Sequence, residues 1–121
     1  MPKILSLKDW INSFWNFQEE DLKYFQDLIE KKIPFEPREI LDNIREKVKR
    51  RKIFYQIYKY LPKEELSLIE SRWIEQKLTE IIYREELITQ LITKILELLS
   101  YYMDIDEISI PEISSIPFIL H

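Results

Sequence analysis

Apolar residues between Pro62 and Met103 recur at spacings of four and three. Ile74, Leu78, Ile81, Ile88, Ile92, Ile95, Leu99 and Tyr102 form one stripe, broken only where Glu85 takes a turn. Such a stripe stays on one face of a helix, and the spacing predicts a single long amphipathic helix over about 62–103. Leu87, Leu91 and Leu98 widen the stripe beyond the seam of a two-stranded coiled coil. At 1.5 Å per residue such a helix runs roughly 60 Å, more than the width of a domain this size. Part of its apolar face is therefore expected to find cover outside the local fold. Ile88, Leu91, Ile92, Ile95, Leu98, Leu99 and Tyr102, with Phe118 further on, are the candidate partner-facing positions.

Upstream, Ser6 and Asp9 have the spacing of a capping box and predict a first helix over about Leu7 to Trp15. Asn16 and Glu19 repeat the signal and predict a second, running to about Lys32, so the aromatic-rich N-terminal segment reads as a lid on the long helix. Pro34 and Pro37 bracket a loop, and Pro37 suits the first turn of a third helix extending to about Tyr60. Pro62 disfavours helix before it, and the short connection predicts an antiparallel hairpin with the long helix. After Met103 the helical period is lost, and Asp104 to His121 reads as an extended apolar tail punctuated by Pro111 and Pro117. It is expected to pack back on the bundle, or else to dock elsewhere. The predicted architecture is all-α: a bundle of about four helices over 1–103 and a tail over 104–121.

Composition narrows the chemistry. The chain has no Cys, Gly or Ala, and its one His is the final residue, His121. Thiolate chemistry and disulfides are excluded, as are phosphate and dinucleotide loops that need glycine backbones. The usual general base and commonest metal ligand is absent from the interior of the chain. An AT-rich coding sequence would produce the same bias, but the chemical consequences stand. Neither catalysis, a cofactor nor a small-molecule substrate is expected. No apolar run approaches the ~20 residues needed to cross a bilayer, and the first residues lack the apolar core of a secretory signal. A cytoplasmic protein is expected.

Charge is unevenly placed. Between Arg45 and Lys59 stand Arg45, Lys47, Lys49, Arg50, Arg51, Lys52 and Lys59 against Glu46 alone, although the whole chain carries −4. Tyr55 and Tyr58 are interleaved with these cations. Such a segment suits a phosphate backbone with stacked bases, or equally an acidic protein surface. The paired carboxylates Glu64/Glu65 and Glu85/Glu86 point apart on a helix, so neither pair can share a proton or a metal. Glu85 lies within the apolar stripe, where solvent or a bend is expected to interrupt it.

From Phe54 to Ile92 the spacing resembles a known pattern. Phe54 and Tyr55, then Tyr60 and Leu61, are followed by Glu70, Ile74, Leu78, Ile81, Ile82, Arg84, Leu87 and Ile88. This is similar to the helical domain of the GINS family, replication-fork subunits of archaea and eukaryotes. The usual Lys-Ile after the late Arg is replaced here by Glu85 and Glu86. Only residues 104–121 remain for the small β-rich domain those proteins carry. The resemblance implies a non-catalytic scaffold that assembles through long helices and bridges helicase and polymerase machinery. The expected function is thus an interaction subunit of a larger assembly or homo-oligomer. The alternative is a small nucleic-acid-binding helical protein of plasmid or virus type, using residues 45–59.

Overall fold

A computed structural model describes residues 6–61 and 67–108. Among them are four helices and no strand: α1 (Leu7–Ile29), α2 (Pro37–Tyr58), α3 (Leu68–Leu99) and the single turn α4 (Ile105–Ile108). The protein is all-α, and the expected number of helices is reached by a different division of the chain.

The two short N-terminal helices are one. The Ser6 hydroxyl accepts from the Asp9 amide at 3.1 Å, and the Asp9 carboxylate accepts from the Ser6 amide at 3.4 Å, closing the capping box. The helix then runs through Asn16, because its buried positions never lose step. Leu7, Trp10, Ile11, Phe14, Phe17, Gln18, Asp21, Phe25 and Leu28 recur every three or four residues, with Trp10–Ile11 and Phe17–Gln18 as adjacent pairs on the same face. A continuous buried stripe outweighs a second capping signal whose Asn16 faces solvent.

α1 ends in a Schellman motif, with the Lys31 amide donating to the Leu28 carbonyl and the Lys32 amide to that of Asp27. Lys31 occupies the left-handed position at φ 62°. Glycine would ordinarily stand there, and this chain has none. Pro37 opens α2 as expected.

The long helix starts later than the pattern from Pro62 suggested. A second capping box, between Ser67 and Glu70, fixes its beginning. It stops at Leu99, and residues 100–103 form a turn. At 1.5 Å per residue its 32 residues span about 48 Å, against about 34 Å for the 23 residues of α1. The tail departs from its expected boundary as well. α4 folds one more turn against the bundle, with Ile108 buried in the core and the Glu107 carbonyl accepting from Arg45 at 2.7 Å. Residues 109–121, including Phe118 and the expected packing of the tail, lie outside the described residues, as does Pro62.

Contacts give the directions of the helices. Lys8 meets Trp73, Trp15 meets Lys77 and Arg84, and Gln18 reaches Ile81 and Glu85, so α1 and α3 run parallel. α2 runs antiparallel to both: Trp10 bonds the Phe54 carbonyl, Tyr24 meets Asn43, and Arg51 meets Glu85. The core falls into two parts. One is aromatic, built from Trp10, Phe14, Phe17 and Tyr55 with Ile74 and Ile81. The other is aliphatic, built from Ile40, Ile44 and Val48 with Ile88, Ile92, Ile95 and Leu99, and capped by Phe25.

The Schellman lysine yields a stability prediction. Lys31→Gly relieves the left-handed strain and should raise stability by about 0.5–1 kcal/mol in urea denaturation, after allowing for the freer unfolded chain. A loss instead would show that Lys31 is not held in that conformation.

Candidate functional site

Between the two hydrophobic clusters lies a layer of buried polar groups, one or more from each long helix. Arg51 of α2 is 1% exposed, Asp21 of α1 0% and Glu85 of α3 2%. The Arg51 Nη1 donates to Asp21, and its Nε donates to Glu85 at 3.1 Å. Tyr55 donates its hydroxyl to the same Glu85 oxygen at 3.1 Å. Gln18 donates to the other Glu85 oxygen at 3.1 Å and to the Ile81 carbonyl at 2.8 Å. Lys47 approaches Asp21 from the rim at 3.1 Å, its ammonium also lying over the Tyr24 ring. Two carboxylates thus face two cations, which is the condition for leaving charge in a dry interior.

Burial alone would lower the Arg51 pKa, but Glu85 and Asp21 outweigh it and hold the guanidinium charged. The Tyr55 phenol is pushed up, first by burial and then by the Glu85 charge, so it stays protonated as the donor the layer needs. Glu85 is therefore not a point where solvent or a bend breaks the stripe. Its partner comes from α2, 34 residues away in sequence, where Arg84 on its own helix could not reach. Gln18, Asp21, Arg51 and Glu85 are all buried, and their side chains bond to one another and to Tyr55, Lys47 and the Ile81 carbonyl.

This arrangement divides the basic segment. Arg51 and Tyr55 belong to the core, and Lys47 is half-buried against Asp21, so none of the three offers a free contact to nucleic acid. Tyr58 is half-buried with its ring 4.9 Å from Trp10. Arg50 is exposed but lies over Phe17 at 4.6 Å. Arg45, Lys49, Lys52 and Lys59 remain on the outer face. The face is distinctive within the bundle: α2 carries seven basic and three acidic residues, α1 two and five, and α3 four and six.

The candidate partner-facing stripe is also redistributed. Ile88, Ile92, Ile95 and Leu99 are covered by α1 and α2 and form the aliphatic core. They turn inward because α1 is one long helix, not two short ones, and covers the stripe along its length. Leu91 is half-buried, whereas Leu98 is 37% and Tyr102 66% exposed. With Tyr101 and Ile105 these last two are the exposed apolar residues of the segment 98–105, an apolar pole that meets at Tyr101 and Tyr102 an open groove of about 1060 Å³, lined also by Pro37, Arg38, Ser100, Met103 and Glu107 among others. No group of acidic, His or Cys residues that could hold a metal occurs among the described residues. No described helix is long and apolar enough to cross a membrane.

Comparison with protein-family models, with curated proteins and with solved structures finds no match for this chain.

The buried layer makes two predictions. Arg51→Met strands two carboxylates and should cost about 3–5 kcal/mol, a large share of the about 5–15 kcal/mol of an ordinary domain. Replacing the trio together by Asp21→Leu, Arg51→Met and Glu85→Leu should restore most of it, read from urea midpoints. Equal losses in the single and triple variants would place the cost in packing and not in charge. The second concerns alkali. The folded Tyr55 pKa lies above the phenol's ordinary 10.0, so its contribution is intact below that pH. Stability should fall as the pH rises above it, because the unfolded chain ionises there first. Tyr55→Phe should flatten that fall in denaturation midpoints compared at about pH 9 and about pH 11, leaving the smaller share from Tyr24, whose pKa is also raised by burial.

Proposed function

We propose that this protein is a non-catalytic helical scaffold, an interaction subunit of a larger assembly. The observation that carries this reading is the apolar pole: Tyr101 is 83% and Ile105 79% exposed, beside Tyr102 and an open groove rimmed by Arg38, Glu39, Asp104 and Glu107. Apolar and aromatic groups within a charged rim are the composition of a protein-binding patch, with Tyr prominent among its anchors. α3 also outruns α1, and Leu68 and Ile69 at its start are exposed. A scaffold at the replication fork, as the GINS-like spacing over 54–92 implies, is the finer form of the proposal. Contact with nucleic acid through α2 is the second reading, favoured by the four cations left on its outer face.

The test of the scaffold is a double variant, Tyr101→Asp with Ile105→Asp, compared with the wild type by light scattering and by affinity purification from the source cells. Both positions are exposed, so the melting temperature should not change. The wild type should self-associate or retain a stoichiometric partner that the variant loses. A wild-type monomer with the same co-eluting set as the variant would overturn the proposal.

A further inference from the structure

Arg45, Lys49 and Lys52 on the outer face of α2, and Lys59 at its C-cap with backbone still helical, follow one another at intervals of four, three and seven residues, with Gln56 filling the remaining turn. At 1.5 Å per residue the row is roughly 21 Å long. None of Lys49, Lys52 and Lys59 has an ion-pair partner among the described residues. Among the described residues Arg45 has Asp42 at 4.0 Å and the Glu107 carbonyl.

The character of this row points to one kind of occupant. It has no apolar centre, since only Ile53 at its flank is a large exposed hydrophobe within the helix. A protein partner would need a dry apolar core, whereas nucleic-acid interfaces are polar and positive. Single strands are held largely by stacking. Phe54, Tyr55 and Tyr58 are turned into the bundle, against Trp10, Phe14 and Phe17, and Tyr60, 86% exposed just past α2, is a single platform and not a row. A helix about 10–12 Å across matches the ~12 Å major groove of B-DNA, from which long Arg and Lys side chains reach the phosphates on either rim, whereas the deep, narrow groove of A-form RNA does not admit it. The acidic balance of α1 and α3 would repel a duplex from either side, so only the α2 face can approach.

The geometry points to the outer face of α2 as a docking surface for the phosphate backbone of duplex DNA, with Arg45, Lys49, Lys52 and Lys59 each meeting a phosphate. This rests on the second reading above and owes nothing to the apolar pole. With about four phosphates neutralised, log affinity falls with log salt at a slope of roughly −3.6, a loss of about two decades between ~50 and ~200 mM salt.

The test is fluorescence anisotropy of the full chain with a labelled DNA duplex at those two salt concentrations. Arms with a single strand of the same sequence, an RNA duplex and polyglutamate distinguish the sources of anionic charge. The DNA duplex should bind tightest, with the stated salt loss. Lys49→Glu with Lys52→Glu should weaken it and reduce the slope by about two, while helicity by circular dichroism stays unchanged. Tyr101→Asp with Ile105→Asp should leave DNA binding intact, which separates this surface from the apolar pole. Absent duplex binding at the lower salt overturns the inference, as does a slope the lysine variants do not move. Equal or tighter binding of polyglutamate or of RNA duplex also overturns it. Tighter binding of the single strand that is weakened by the lysine variants would leave α2 a nucleic-acid surface and overturn the duplex alone.

Discussion

The bundle depends on a buried charge balance. Arg51 on α2 is held between Asp21 on α1 and Glu85 on α3, with Tyr55 and Gln18 adding hydrogen bonds to Glu85 and Lys47 a second cation beside Asp21. An apolar layer tolerates sliding of one helix past another by a turn. A guanidinium that must meet two carboxylates from different helices does not, because any shift leaves a charge without its partner in a dry interior. The layer lies between the aromatic and aliphatic halves of the core, and its charges favour the one register of the three helices that leaves no carboxylate without a cation.

That register decides which side chains remain for function. With Arg51 and Tyr55 turned inward, α2 shows solvent a row of cations with no exposed aromatic inside the helix, and Tyr60 alone stands exposed just past its end. With Ile88, Ile92, Ile95 and Leu99 turned inward, the long helix keeps exposed apolar groups only toward its ends, apart from Tyr83 midway. The two candidate surfaces thus differ in chemistry as well as place. One is a linear positive face suited to phosphate, the other an aromatic pole suited to protein. The acidic balance of α1 and α3 keeps the positive face narrow, which limits contact with any polyanion to one helix width.

Much of the fold is legible from periodicity. The stripe through Ile74, Ile81, Ile88, Ile92, Ile95 and Leu99 identifies α3 and its buried face, and Pro37 marks where α2 begins, because these signals depend only on neighbours within a few residues. The same locality explains the misplaced boundaries. The Asn16 signal competes with a buried stripe that runs past it, and stripes are stabilised by what covers them. The start of α3 could have been found from Ser67 and Glu70, a capping box in plain sequence.

The sequence by itself determined that the chain is helical, that glycine- and cysteine-dependent chemistry is closed to it, and that positive charge gathers between residues 45 and 59. Tertiary structure alone decided which of those charges are available. Arg51 and Lys52 are adjacent in sequence and chemically alike, yet one is sealed in the core and the other stands in solvent. Helical phase puts Arg51 in step with Ile44, Val48 and Tyr55, and Lys52 out of it. Phase cannot say that a charge on that stripe will be buried, because the partners that allow it, Asp21 and Glu85, stand 30 and 34 residues away. The same holds for Glu85. Within its own helix it is an acidic break in an apolar stripe, and only the approach of α2 makes it the partner on which the packing turns.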